Sequence, residues 1–123
     1  MSLSFVMLDV HSRRVFRPRK RGTTIELLPQ ALREQLPPLY SQEHEADPLV
    51  ICKFFTPDSS WTWYALEFDG QDMFFGLVVG FEEELGYFLL SELRQARGPF
   101  GLPIERDIHF KPMRLSEVRK VHP

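Results

Sequence analysis

Between Leu49 and Leu93 the chain reads LVICKFFTPDSSWTWYALEFDGQDMFFGLVVGFEEELGYFLLSEL. Apolar, aromatic-rich runs of strand length alternate with turn clusters, several of them acidic, and this pattern predicts an antiparallel β-meander that passes straight into a short helix. The first run, Leu49 to Thr56, ends at Pro57, Asp58, Ser59 and Ser60, residues that fix φ or bond their own backbone. The second, Trp61 to Phe68, is joined by Asp69, Gly70, Gln71 and Asp72 to the third, Met73 to Gly80. Strict alternation along the second run puts Thr62, Tyr64, Leu66 and Phe68 on one face, and Trp61, Trp63, Ala65 and Glu67 on the other. Gly76 and Gly80 lack side chains on one face of the third run, so a ring, a backbone or a ligand comes close there, with a ring expected. Phe81 to Glu84 reads as an acidic turn and Leu85 to Leu90 as a fourth strand. Ser91 is expected to cap a helix that stops before a left-handed Gly98.

Outside this stretch the signals are shorter. Leu28, Leu32 and Leu36 recur at helical spacing, Pro29 suits a first turn, and Pro37 with Pro38 ends the run, so a helix is expected over Pro29 to Gln35. Tyr40 to Pro48 is polar and reads as a loop feeding the sheet. Beyond the turn residues Gly98, Pro99, Gly101 and Pro103, Ile104 to Phe110 suggests a last strand and Leu115 to Val121 a helix. At the other end Phe5 and Met7 have the near-alternate spacing of a short edge strand. The expected fold is a single α+β domain: an antiparallel meander of four to five strands with two or three short helices packed against it, spanning 23–123 and preceded by a basic extension over 1–22.

A chain of 123 residues suits one core, and 11 Phe with 2 Trp make that core bulky. The one cysteine, Cys52, has no disulfide partner within the chain and sits in an apolar run, which fits a reducing, cytoplasmic setting. No run approaches the roughly 20 apolar residues of a membrane helix, so no membrane association is expected. The net charge of -2 conceals an asymmetry: Arg13, Arg14, Arg17, Arg19, Lys20 and Arg21 hold six of the 15 basic residues, and the remaining nine face seventeen acidic ones. Such an arm is usually a solvated tail; its sharper reading is a contact with nucleic acid or another acidic surface. The acidic body would repel a phosphate backbone, so nucleic-acid contact is expected only through the arm.

Candidate chemistry is sparse. The four histidines show no zinc spacing, no glycine-rich loop cradles phosphate, and no nucleophile elbow surrounds Ser59 or Ser60, so no catalytic residue and no cofactor is expected. An alternative gathers Glu43, His44, Glu105, Asp107 and His109 through space around a metal, in a small metal-assisted enzyme. Trp61 and Trp63 are core residues unless exposed, in which case they would anchor a protein contact.

Several stretches together resemble a known family: Leu36-Pro37-Pro38-Leu39-Tyr40-Ser41-Gln42-Glu43, Lys53-Phe54-Phe55-Thr56-Pro57, Trp61-Thr62-Trp63-Tyr64, Phe74-Phe75-Gly76-Leu77-Val78, Glu84-Leu85-Gly86-Tyr87-Phe88 and Ile104-Glu105-Arg106-Asp107. They look like a domain of unknown function found in small uncharacterised bacterial proteins, often carried on plasmids, integrative elements and phages near antirestriction and conjugation genes. The resemblance covers about Leu27 to Leu115, leaves the basic arm outside, and defines no catalytic residue. It implies an accessory or host-interaction role rather than metabolism. The function expected is therefore a non-enzymatic binding protein that modulates a nucleic-acid-binding protein of the host or element through an acidic and aromatic surface. That surface would include Tyr40, Glu43, Trp61, Trp63, Glu82, Glu83, Glu84 and Tyr87, on a monomer or weak dimer.

Overall fold

The alternating runs fold back on one another as the pattern demands. A computed structural model describes residues 26–123; the arginine-rich arm and the expected edge strand at Phe5 and Met7 lie outside the described residues. In chain order the elements are α1 (Gln30–Gln35), β1 (Leu49–Val50), β2 (Cys52–Phe55), β3 (Thr62–Phe68), β4 (Met73–Val79), β5 (Glu83–Leu89), α2 (Leu90–Gln95), β6 (Glu105–Arg106), β7 (Met113–Arg114) and α3 (Leu115–Val121). Five strands form one antiparallel sheet in the order β5-β4-β3-β2-β6, and β1 pairs with β7 in a separate two-stranded ladder. The fold is a single α+β domain.

Each face of the sheet has its own core. On the first, Phe54, Trp61, Trp63, Phe74 and Phe88 pack against Leu27, Leu28 and Leu36 flanking or ending the α1 turn and against Leu90 and Leu93 of α2. The rings of Phe74 and Phe88 stack at 5.0 Å between centroids. On the second face, Tyr64, Leu66 and Leu77 are covered by Val50 of β1 and by Leu115 and Val118 of α3. With helices on both sides, every residue of β3 is buried. Both glycines of the third run face the expected crowding, from different sources. A Cβ at Gly80 would enter the Trp61 ring, whereas one at Gly76 would enter the Tyr64 carbonyl.

Four details depart from the sequence reading. The first strand is split, because Leu49 and Val50 pair with Arg114 and Met113 of β7 while Cys52 to Phe55 pair with β3. The last strand is only two residues long: beyond it Asp107 turns the chain, its Oδ1 accepting the His109 N–H at 2.9 Å. Ser91 does not cap α2. The helix already begins at Leu90, and Asp72 from the β3–β4 hairpin accepts the Ser91 N–H at 2.8 Å and its hydroxyl at 2.7 Å. Nor is Gly98 a left-handed cap: α2 ends on extended Ala96, and Gly98 makes room for the Asp58 carboxylate, which accepts the Phe100 N–H at 2.8 Å.

The most consequential departure lies in β3. Its register against β4 shifts between Ala65 and Glu67, a bulge at which Ala65 opposes Gly76 and Glu67 opposes Phe75. Trp61, Trp63 and Ala65 share the first face as alternation predicts, but past the bulge the parity inverts. Phe68 joins the first core, and Glu67 is turned toward the second face.

Candidate functional site

The turned Glu67 lies at the floor of a groove of about 520 Å³, walled by the 40–48 loop, the β4–β5 side of the sheet, and α3. Local sequence explains the loop wall. After Pro37 and Pro38 stop the helix, Tyr40 takes a left-handed backbone with φ 72, a conformation that costs a non-glycine residue about 1–2 kcal/mol. Glu67 offsets that cost: one carboxylate oxygen accepts the Tyr40 N–H at 2.7 Å and the other the Gln42 N–H at 2.8 Å. The side chain is only 4% exposed, so these two bonds are what satisfy it. Gln42 completes the brace. Its amide nitrogen donates to the carbonyls of Leu49 and Leu66 at 3.0 and 3.1 Å, and its oxygen accepts the Leu49 N–H at 2.7 Å. The Ser41 hydroxyl donates to the Pro38 carbonyl at 2.6 Å.

The rim is aromatic and acidic. Tyr40 is 63% exposed and Tyr87 43%, and both line the groove. The neighbouring Tyr40 phenol, then desolvation, with Glu67 and Glu43 nearby, holds the Tyr87 phenol above its ordinary pKa. Leu85 and Phe75 add apolar wall, Glu43 and Glu45 add charge, and Arg119 of α3 is paired to Glu83 of β5. A cationic group entering here would meet two phenol faces and carboxylates on one side.

A second cavity, of about 590 Å³, opens on the same face of the sheet beyond α3, near the β2–β6 edge. Lys53, Glu105, Asp107, His109 and His122 line it. Burial, with Asp107 nearby, pushes the Tyr64 phenol up to about 12, while burial and then Lys53 pull His122 below its ordinary value. The Tyr64 hydroxyl and His122 Nδ1 share a hydrogen bond of 2.6 Å. Lys53 reaches Asp107 at 3.8 Å. Tyr64 with His122, and Lys53 with Asp107, are thus already paired.

The structure brings three expected surface residues, Tyr40, Glu43 and Tyr87, into one groove. Glu82 stays on the exposed β4–β5 turn, while Glu83 and Glu84 belong to β5 itself. Trp61 and Trp63 are 4% and 0% exposed, so both pack in the first core and present no contact surface. The five residues of the metal alternative do not share a site. Glu43 lines the groove, whereas Glu105, Asp107 and His109 line the second cavity, and among the described residues no three metal-ligating side chains converge. The sequence reading placed none of Glu67, Gln42, Glu45 and Arg119 on this surface. For Glu67 the strict alternation concealed the signal, since the bulge sits immediately before it.

The model of a family described as proteins of unknown function, DUF2958, matches residues 27–120. The chain belongs to this family. No curated protein and no solved structure matches it. Every groove residue named above lies within the DUF2958 match, and the arginine-rich arm lies outside it. No helix among the described residues is long and apolar enough to cross a membrane.

Proposed function

We propose that this chain is a non-enzymatic binding domain, an accessory protein of a mobile genetic element, whose groove grips a basic side chain of a nucleic-acid-binding protein. The observation that carries the reading is the conjunction of the buried Glu67 carboxylate with two exposed tyrosines, Tyr40 and Tyr87, and the Glu43 and Glu45 side chains in one groove. Phenol faces and carboxylates together suit a guanidinium or ammonium group, each cation–π contact contributing about 0.5–2 kcal/mol as it desolvates. Nucleic-acid-binding proteins display such groups, and the acidic balance of the body draws them in over longer range. The mobile-element setting rests on the family resemblance alone.

The test is a titration of labelled protein, followed by amide NMR shifts, with a short peptide carrying one central arginine and with its citrulline counterpart. Shifts at Tyr40, Gln42 and Tyr87 are expected with arginine and at least tenfold weaker binding with citrulline. Tyr87→Ala and Glu43→Lys are each expected to weaken the arginine peptide severalfold. Equal binding of both peptides, or shifts confined to other surfaces, would refute the reading. The arm is a separate proposal: replacing Arg13, Arg14, Arg17, Arg19, Lys20 and Arg21 by glutamine is expected to remove salt-sensitive retention on DNA.

A further inference from the structure

The two edges of the five-stranded sheet are treated differently. At one edge β6 is two residues long and ends where Asp107 turns the chain, so little free ladder remains. At the other, β5 runs for seven residues in unbroken register with β4, with no proline and no bulge. Among the described residues its outer side pairs with nothing. Exposed edges of this length template pairing with another strand, and they are normally blunted by proline, bulges or inward charges. The β5 edge has no proline and no bulge, and its charges are confined to one end. Its side chains are instead graded: Glu83 and Glu84 at one end, then Leu85, Gly86, Tyr87, Phe88 and Leu89.

That gradient fits a second copy of the same strand. We propose that two copies of this chain pair antiparallel through β5, about a two-fold axis at Gly86, to form one continuous sheet. Full overlap of seven residues requires that centre. It places Leu85 opposite Tyr87 twice, Glu84 opposite Phe88 and Glu83 opposite Leu89, so no carboxylate faces a carboxylate across the strands. The half-exposed Leu85 and Tyr87 of both copies then close into one apolar patch. A Cβ added at Gly86 meets nothing within 4 Å, so a side chain can be placed at the axis without displacing the sheet. The pairing stands independently of what the groove binds, and it sets the two grooves side by side, because Leu85 and Tyr87 also line them.

The register gives a sharp test on the full chain. In the proposed pair the two Gly86 Cα atoms stand about 4.5–5.5 Å apart, within the roughly 4.4–6.8 Å that a disulfide spans. Two Leu85 positions are offset by two residues along the strands, beyond about 7 Å and out of reach. Cys52 does not interfere, being buried with its thiol pushed up to about 12. Under copper–phenanthroline oxidation, Gly86→Cys is expected to give at least tenfold more cross-linked dimer than Leu85→Cys. The unmodified chain is expected to show a concentration-dependent dimer by sedimentation, lost in Leu85→Glu, with near-ultraviolet circular dichroism confirming that each variant is folded. Equal cross-linking of the two cysteine variants would overturn the proposal, as would an unmodified chain that stays monomeric at every concentration. Protection of the outward β5 amides in such a monomer would show the edge to be filled by the chain's own N-terminal segment.

Discussion

Replacing Glu67 by glutamine changes no shape and removes one acceptor, which isolates what the bulge accomplishes. In the native groove each carboxylate oxygen takes one backbone N–H, from Tyr40 at 2.7 Å and from Gln42 at 2.8 Å. A glutamine keeps one oxygen and turns an NH₂ toward the other N–H, so two donors face each other in a site nearly closed to water. Losing one bond to a charged group amounts to about 1.5–3 kcal/mol, and stranding a buried donor adds about 1 kcal/mol or more. The left-handed Tyr40 backbone, at φ 72, is then held by less than it costs to form. A loss of about 2–4 kcal/mol is expected in the stability of the 40–48 loop. Hydrogen exchange reads it directly: the Tyr40 and Gln42 amides should exchange roughly 30- to 1000-fold faster, since each factor of ten is about 1.4 kcal/mol. The Tyr87 phenol should titrate lower, because the Glu67 charge contributes to holding it up. Glu43→Gln, at the rim, serves as the comparison and should leave those amides unchanged. Exchange in Glu67→Gln within threefold of wild type would refute the idea that this carboxylate shapes the loop.

Other consequences are simpler to state. Gly76→Ala should destabilise the fold by about 3 kcal/mol or more, because its Cβ meets the fixed Tyr64 carbonyl, whereas Gly86→Ala, with open space, should stay within about 1 kcal/mol of wild type in urea titration. His122 has a pKa lowered in the folded state, so the unfolded chain takes up its proton first; its contribution to stability should be complete above the ordinary 6.5 and decline as pH falls below it. Nitrogen NMR should show His122 titrating below 6.5, and Tyr64→Phe should abolish the Nδ1 hydrogen-bond signature. The Asp47 pKa is lowered by its bonds from the Ser116 hydroxyl and N–H. That stabilisation is present above the ordinary 3.8 and lost as pH falls through the lower folded value, so Asp47→Asn should flatten the acid limb of a urea-stability profile.

Much of the fold was readable because the meander obeys short-range rules. The hairpin at Asp69 to Asp72 forms as its residues suggest: Gly70 takes φ 88, and Asp69 Oδ1 accepts the N–H groups of Gln71, Asp72 and Met73. The buried aromatics followed from composition, and the glycine crowding from missing side chains. What escaped depended on partners far along the chain. β7 exists because Leu49 and Val50 need a ladder from Arg114 and Met113, far along the chain, and nothing in Met113 and Arg114 alone announces a strand. The groove escaped for a different reason. A single inserted residue reverses alternation downstream, and no local residue type marks the bulge, so Glu67 reads as a core-side residue when it is the groove's floor.

One regularity in the sequence does speak to those distant partners. α2 begins Leu90-Ser91-Glu92 and α3 begins Leu115-Ser116-Glu117, each directly on the end of a strand. In both, the leucine N–H donates to a carbonyl of a neighbouring loop, Asp72 for one and Pro48 for the other. In both, an aspartate on that loop takes the serine N–H and hydroxyl, Asp72 at 2.8 and 2.7 Å and Asp47 at 2.8 and 2.7 Å. The helix cap is thus supplied from outside the helix, by an acid placed where the N-terminal N–H groups are otherwise unpaired. For α3 this has a functional consequence. Asp47 ends the loop that carries Tyr40 and Gln42, and it docks the helix that carries Arg119. Both walls of the groove are therefore tied to one short segment, with Glu67 anchoring its start and Asp47 its end. A ligand that pulls on Tyr40 pulls on a loop fixed at both ends, which is the condition for a preformed rather than an induced site.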